Sequence, residues 1–408
     1  MKMDKNKFGF TLSFIFILAY SYLLYASTSI NLINSTTMAF SYEYGFISRG
    51  LIGTTYGLID KIAPIDMMTK DAVVTFIHIV TMVYMLFLFW FFLNLIRSAK
   101  VEHITIVTHL CIGFAIWAIP IFVDEQNFGR LDMYCLSLSM IMVILIISKK
   151  NEWFVIPLAA ISVLIHHGNV FMFINIPLVL LLYRFLDEKE EISRKHYGRI
   201  FLTTFLSVSA LFIYFEFFSY TGEQASYDTI SNIACNLNGY NACDTGLISK
   251  TIFGTDLSEG ETTFRIISRV QFVIFMVLMI PHMVRTYKTY RNTIRYCNSN
   301  RDKLKYIVVL FGVITIVPEM VLKCDYGRYA FMIVAYYAIV TIALIAMQDS
   351  IIASEYVLFE NKIASRSKTK LFLFYWYPLL MQPVWDVDVN WITYFCGEIL
   401  NATLLHWW

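Results

Sequence analysis

Among the arginines that have a glycine as immediate neighbour are Arg49 in Ser48-Arg49-Gly50, Arg130 in Phe128-Gly129-Arg130 and Arg328 in Tyr326-Gly327-Arg328. A guanidinium meets phosphate oxygens in a planar fork, so each is a candidate for holding an anion. Carboxylates lie close by in sequence: Glu43 before Arg49, the adjacent Asp124 and Glu125 before Arg130 with Asp132 after it, and Asp325 three residues before Arg328. Asp325 and Arg328 can pair at a helix start, and Arg130 can pair with Asp132 or Asp124. His166 and His167 supply groups that titrate near neutrality, suited to proton transfer or phosphate binding. Adjacent residues point apart on a helix, so one histidine rather than both is expected to act. Taken together, these types suit gripping a phosphate or diphosphate while a proton is taken from a hydroxyl.

Such groups need elements to hold them, and the composition says which. The chain has 408 residues, 58% of them hydrophobic and 15% charged. That balance belongs to a polytopic membrane protein. A bilayer core is crossed by about 20 apolar residues in a helix. Eleven such stretches are expected, near 8–27, 72–96, 103–121, 132–148, 152–166, 169–185, 200–219, 267–284, 305–321, 328–347 and 371–385. Strict alternation of polar and apolar residues is absent, which predicts an all-α fold rather than a barrel. Residues 1–408 form one transmembrane domain in this reading, with 220–264 as an extracytoplasmic loop within it.

The first span follows a lysine-rich start and lacks a convincing cleavage site, so it is expected to remain as an uncleaved anchor. With that basic end in the cytoplasm, the inside segments are 97–102, 149–151, 184–199, 285–305 and 348–370. They and the N-terminus carry 23 of the 32 Lys and Arg, the bias that orients inner-membrane proteins. The chemistry-bearing segments then all fall outside. An amphipathic stretch, Leu51–Ile62, is expected to lie in the outer interface plane with Arg49 at its start, where backbone N–H groups also favour an anion. Cys235 and Cys243, eight apart in the long outer loop, are placed for a structural disulfide in an oxidising compartment.

Several function classes are excluded or weakened. A net charge of +2 leaves no nucleic-acid footprint. No Walker or dinucleotide-binding glycine loop appears, so an activated substrate must arrive through the membrane. No Cys/His spacing resembles a zinc site, and arginines can neutralise a diphosphate without a metal. Asp386 and Asp388 keep a metal-assisted version open. A transporter would place ionisable groups near the midplane and show matching halves, and neither is seen.

The segments Gly45-Phe-Ile-Ser-Arg-Gly50, Asn127-Phe-Gly-Arg130 and Asp325-Tyr-Gly-Arg328, with the many spans and the enlarged late outer loop, resemble the polytopic O-antigen or capsular repeat-unit polymerases of bacterial envelopes. The resemblance is one of layout over most of the chain. It implies a glycosyltransferase that joins polyprenyl-diphosphate-linked oligosaccharides. Arg49, Arg130 and Arg328, with Asp124 and Glu125, would serve the diphosphate and sugar, while His166, His167 or Glu43 would take the hydroxyl proton and Asp325 would orient Arg328. It implies no cofactor, and membrane lipids and other envelope polysaccharide-assembly proteins as partners. The related GT-C transferases, which add one sugar from a polyprenyl-phosphate donor, share the scheme. They usually carry an acidic residue in the first outer loop, where this chain offers only Glu43. A lipid-linked glycan flippase is the alternative of another class.

Overall fold

A computed structural model of the chain describes residues 5–124, 127–239, 242–254, 273, 276–322 and 326–380, and every regular element among them is helical. Five helical stretches are long and apolar enough to cross a membrane: Asn6–Tyr25, Lys70–Ser98, Val101–Phe122, Glu191–Phe217 and Arg328–Ala346. Asp132–Ser148 and Glu152–Ile165 are shorter apolar helices.

In chain order the helices are α1 (Lys5–Tyr25), α2 (Leu32–Ala39), α3 (Gly50–Ile62), α4 (Lys70–Ser98), α5 (Ile104–Ala118), α6 (Asp132–Ser148), α7 (Val155–Ile165), α8 (Asn169–Met172) and α9 (Asn175–Asp187). They continue as α10 (Glu191–Phe217), α11 (Gln224–Asn238), α12 (Thr245–Phe253), α13 (Ile280–Tyr296), α14 (Asn300–Phe311), α15 (Val317–Leu322), α16 (Tyr326–Ala346), α17 (Ser350–Ala364) and α18 (Lys368–Trp376). One large apolar core joins the long helices, with Phe92, Phe114, Phe122 and Phe331 among its buried rings.

Two stretches expected as continuous spans are broken. In 305–321, α14 stops at Phe311, a 3-10 turn runs Gly312–Ile316, and α15 follows. Changing from α to 3-10 geometry frees carbonyls of the last α turn. Tyr336 and Tyr337 on α16 take them, donating to the Val309 and Leu310 oxygens at 2.7 Å each. In 169–185, Asn169 interrupts the helix by accepting from the Phe173 N–H at 3.1 Å and donating to Ser162. Such side-chain bonds compete with the helical ladder. The chain thereby reverses between α7 and α9, since Arg184 near the end of α9 reaches the Ile146 and Ile147 carbonyls at the end of α6.

The segments expected to be the first and the long late outer loops pack together as a cap. Asn31 starts α2 by accepting from the Asn34 N–H at 2.8 Å, and Asp244 starts α12 by accepting from the Leu247 N–H at 2.9 Å. Ala39, Phe40 and Ile47 bury against Ile230, Ala234, Ile248 and Ile252, so 220–254 is a helical pair resting on α2 rather than a loose loop. Asn238 ties the pair down, donating to Ser35 Oγ at 3.0 Å. The expected amphipathic stretch is α3. It buries Gly50, Gly53 and Tyr56 and exposes Leu58, Ile59 and Ile62. A Cβ on Gly53 would overlap the carbonyl oxygens of Phe40 and Met38, so only glycine lets α3 cross this close to α2.

The basic segments meet one another at the other end of the bundle. Lys149 pairs with Glu188 at 2.5 Å, Lys305 with Asp187 at 2.7 Å, and Tyr183 and Tyr306 both donate to Asp349. The long helices thus separate a basic end from the capped end, where the candidate site lies.

Candidate functional site

Four helix ends converge beneath the cap. Asp132 opens α6, His166 ends α7, Glu216 lies in the last turn of α10, and Arg328 lies in the first turn of α16. Arg328 and Asp132 are both buried, and they form an ion pair across 196 residues, with Nε at 3.0 Å and Nη2 at 2.7 Å from Asp132 Oδ1. Nη2 is also 3.0 Å from His166 Nε2 and 3.5 Å from Met172 Sδ. The opposite ring nitrogen, His166 Nδ1, accepts the Gly168 N–H at 3.1 Å.

Beside this cluster lies a small cavity of about 70 Å³, whose polar lining is Ser48, Arg49, His167, Glu216, Lys250, Thr251 and Glu319. At roughly 10–15 Å³ per water-sized probe it has room for a few waters or a phosphate-sized group. Phe171, Phe212 and Phe215 form part of its wall. His167 Nε2 stands 3.4 Å from Glu216 Oε2. The two histidine rings lie 5.8 Å apart and serve different partners, His166 facing Arg328 and His167 facing Glu216.

Gly168, the next residue in the chain, is a second close approach. A Cβ there would sit 2.9 Å from His166 Cε1 and 3.2 Å from Glu319 Oε1. The break before α15 delivers Glu319 to this place, and its backbone oxygen is held by the Tyr329 hydroxyl at 2.9 Å.

Arg49 reaches the site by a strained route. Its backbone is left-handed, φ 63° and ψ 10°, where L residues other than Gly and Asn are uncommon. It occupies the N-cap of α3 but makes no side-chain capping bond, so no side chain of that residue offsets the positive end of the helix. Burial pulls its pKa down, and the Arg328 guanidinium pulls it further. Glu319, Asp244 and Glu216 act the other way. Two guanidiniums are thus held within electrostatic reach of each other, with carboxylates balancing them.

The other residues singled out in the sequence have varied placements. Glu43 is exposed and pairs with Lys61 on α3, away from the cavity lining. Asp124 is buried and accepts from Asn127 Nδ2 at 3.1 Å. Arg130 is half-buried after the Asn127–Gly129 turn. Neither Asp124 nor Arg130 lines the cavity. Glu125, Asp325, Asp386 and Asp388 lie outside the described residues. Where the local pattern pairs Arg328 with Asp325, the structure adds a buried partner from another helix, Asp132. Cys235 and Cys243 are adjacent but present as free thiols, and burial together with Cys243 pushes the Cys235 thiol up. Among the described residues no three His, Cys, Asp or Glu side chains group to hold a metal.

Sequence reasoning passed over Glu216 and Lys250, and it noted Glu319 and Asp132 only as neighbours. Glu216 carried a signal, since a carboxylate at the end of an apolar span is costly unless paired or used. No protein-family model, curated protein or solved structure matches this chain.

Proposed function

We propose that the chain polymerises polyprenyl-diphosphate-linked oligosaccharide repeat units into O-antigen or capsular polysaccharide. In this proposal it spans a bacterial inner membrane eleven times with its N-terminus in the cytoplasm. The capped end faces the periplasm. The basic contacts at the opposite end, such as Lys149–Glu188 and Lys305–Asp187, support that sidedness.

The observation that carries the proposal is Arg49. A strained backbone holds its guanidinium near Arg328, at a cavity that a phosphate group would fill. Such strain costs about 1–3 kcal/mol and persists where its surroundings enforce it, often at functional sites. Like charges gathered in a dry site lower their mutual energy when an anion enters.

The growing glycan on its diphosphate is the donor. The terminal sugar hydroxyl of a second lipid-linked unit attacks the donor's anomeric carbon. As the new C–O bond forms, the bond from that carbon to the diphosphate oxygen breaks, and the diphosphate leaves with the electron pair. Arg49 and Lys250 stabilise that charge, and Arg328 adds to the field from behind. The hydroxyl proton passes to His167, whose imidazolium is stabilised by Glu216. His166 and Asp132 hold Arg328 in place. Glu43, paired with Lys61 on the surface, has no part in these steps.

The surface glycan of a deletion strain tests this proposal. A single capped repeat in place of a ladder is the expected pattern. Loss of one side-branch sugar would instead assign a dedicated single-sugar transferase, and an unchanged glycan would remove the enzyme reading.

A further inference from the structure

A larger cavity of about 470 Å³ lies between α5, α13, α14, α16 and α17, lined along α16 from Ala330, two residues past Arg328, to Ala338. That volume lies in the usual range for small-molecule and lipid sites, roughly 300–1,000 Å³. Its wall is almost wholly apolar, including Phe114, Trp117, Met283, Phe311, Ile314 and Val334. One full charge faces it, Arg285, and that residue is only 4% exposed. Its Nε and Nη2 are buried without a hydrogen-bond partner among the described residues.

Aromatic rings surround the guanidinium. Tyr356 lies 4.1 Å from its carbon, with Phe359, Tyr375 and Phe374 between 5.0 and 5.4 Å. Ring faces stabilise the charge but do not accept the in-plane N–H groups. The nearby carboxylate of Glu360 is already bound by His109 Nδ1 at 3.0 Å and by the Tyr375 hydroxyl at 2.5 Å. A buried guanidinium with two unpartnered N–H groups, lining an apolar slot, suits an anion with a hydrocarbon tail.

α13 indicates the source of that anion. Its first turns expose Met283, Val284 and Tyr287, and its later turns expose Lys288, Arg291 and Arg295. The change from apolar to basic comes within one turn of Arg285, which puts Arg285 at the depth where lipid phosphates sit.

We infer that this cavity is a binding site for one anionic phospholipid of the membrane, its phosphate paired with Arg285 and an acyl chain in the apolar slot. Its lining shares no residue with the cavity of the proposed reaction. Lys288, Arg291 and Arg295 draw anionic lipid to the surface, and Arg285 selects the one that is held.

Native mass spectrometry of the detergent-purified full chain, with thermal unfolding in nanodiscs, tests the site. The wild type is expected to retain one phosphatidylglycerol, and its unfolding midpoint should rise by several degrees from phosphatidylcholine to phosphatidylglycerol nanodiscs. Arg285→Gln should lose both effects, and Arg285→Lys, which keeps the charge if Gln disturbs folding, should retain the lipid more weakly. The triple variant Lys288→Gln/Arg291→Gln/Arg295→Gln should still retain it. Undiminished lipid retention in Arg285→Gln would overturn the assignment. So would loss confined to the triple variant, an equal midpoint rise with inorganic phosphate alone, or displacement of phosphatidylglycerol by polyprenyl phosphate at equal concentration.

Discussion

Arg328 Nη2 lies 3.0 Å from His166 Nε2, while the other nitrogen of that ring accepts the Gly168 N–H. Both ring nitrogens therefore face donors. A neutral imidazole has a single acceptor nitrogen, so the ring can accept from Arg328 or from Gly168 but not from both at once. His166 and Asp132 together set where the Arg328 guanidinium points.

The Arg328–Asp132 pair separates stability from activity. Breaking a buried ion pair from one side costs about 3–5 kcal/mol, because the remaining charge is left unpaired, whereas an apolar replacement of both sides is often neutral. Arg328→Met or Asp132→Leu alone should lower the thermal midpoint and abolish polymer. The double variant should recover the midpoint without recovering polymer. Thermal unfolding in detergent, read beside a glycan ladder from complemented cells, checks both. A double variant that makes polymer would reduce the pair to a structural role.

Arg49 gives the opposite signature. Glycine takes the left-handed region without the Cβ penalty, so Arg49→Gly should hold or raise stability by up to about 1 kcal/mol. Polymer should nevertheless be lost, since the guanidinium is gone. A normal ladder in Arg49→Gly cells would show that the strain serves something other than this site.

Gly168→Ala places a methyl group against His166 and Glu319 at the same time. The fold should survive, because the turn lies between helices, but the two side chains must part. Activity is expected to fall at least about tenfold, the scale of a misplaced reacting group. Equal polymerisation rates in Gly168→Ala and wild type would show that this spacing does not matter.

The two cap thiols report on compartment. Cys235 and Cys243 already touch across the end of α11. If the cap faces the periplasm, protein purified without reductant should carry them as a disulfide, refractory to alkylation until reduced. Closing so short a loop adds about 2–3 kcal/mol. Full alkylation of both without reductant would contradict that placement.

How much of this was legible in the sequence depends on whether the cause is local. The helical class, the α3 helix and the positions of Arg49, His166, His167 and Arg328 follow from apolar runs, glycines and charge. The Arg328–Asp132 pair does not, because each residue has an oppositely charged neighbour in the sequence, Asp325 and Arg130, and only tertiary packing brings α6 to α16. The break after Phe311 was equally hidden. It depends on Tyr336 and Tyr337 hydroxyls from another helix accepting the cost of interrupted hydrogen bonding. Glu216 was masked by the apolar span it ends. The stretch 220–264 read as a loop because its described helices, α11 and α12, are polar on one side, and the apolar side finds its partner only in α2 and the residues that follow it.

The most direct test is polymerisation by the purified protein in liposomes, supplied with a polyprenyl-diphosphate-linked repeat unit on the face that carries the cap. The account predicts a ladder of lengthening glycans from the wild type, and only the single unit from Arg49→Ala and from Arg328→Ala. A single unit from the wild type, or an undiminished ladder from both arginine variants, would contradict it.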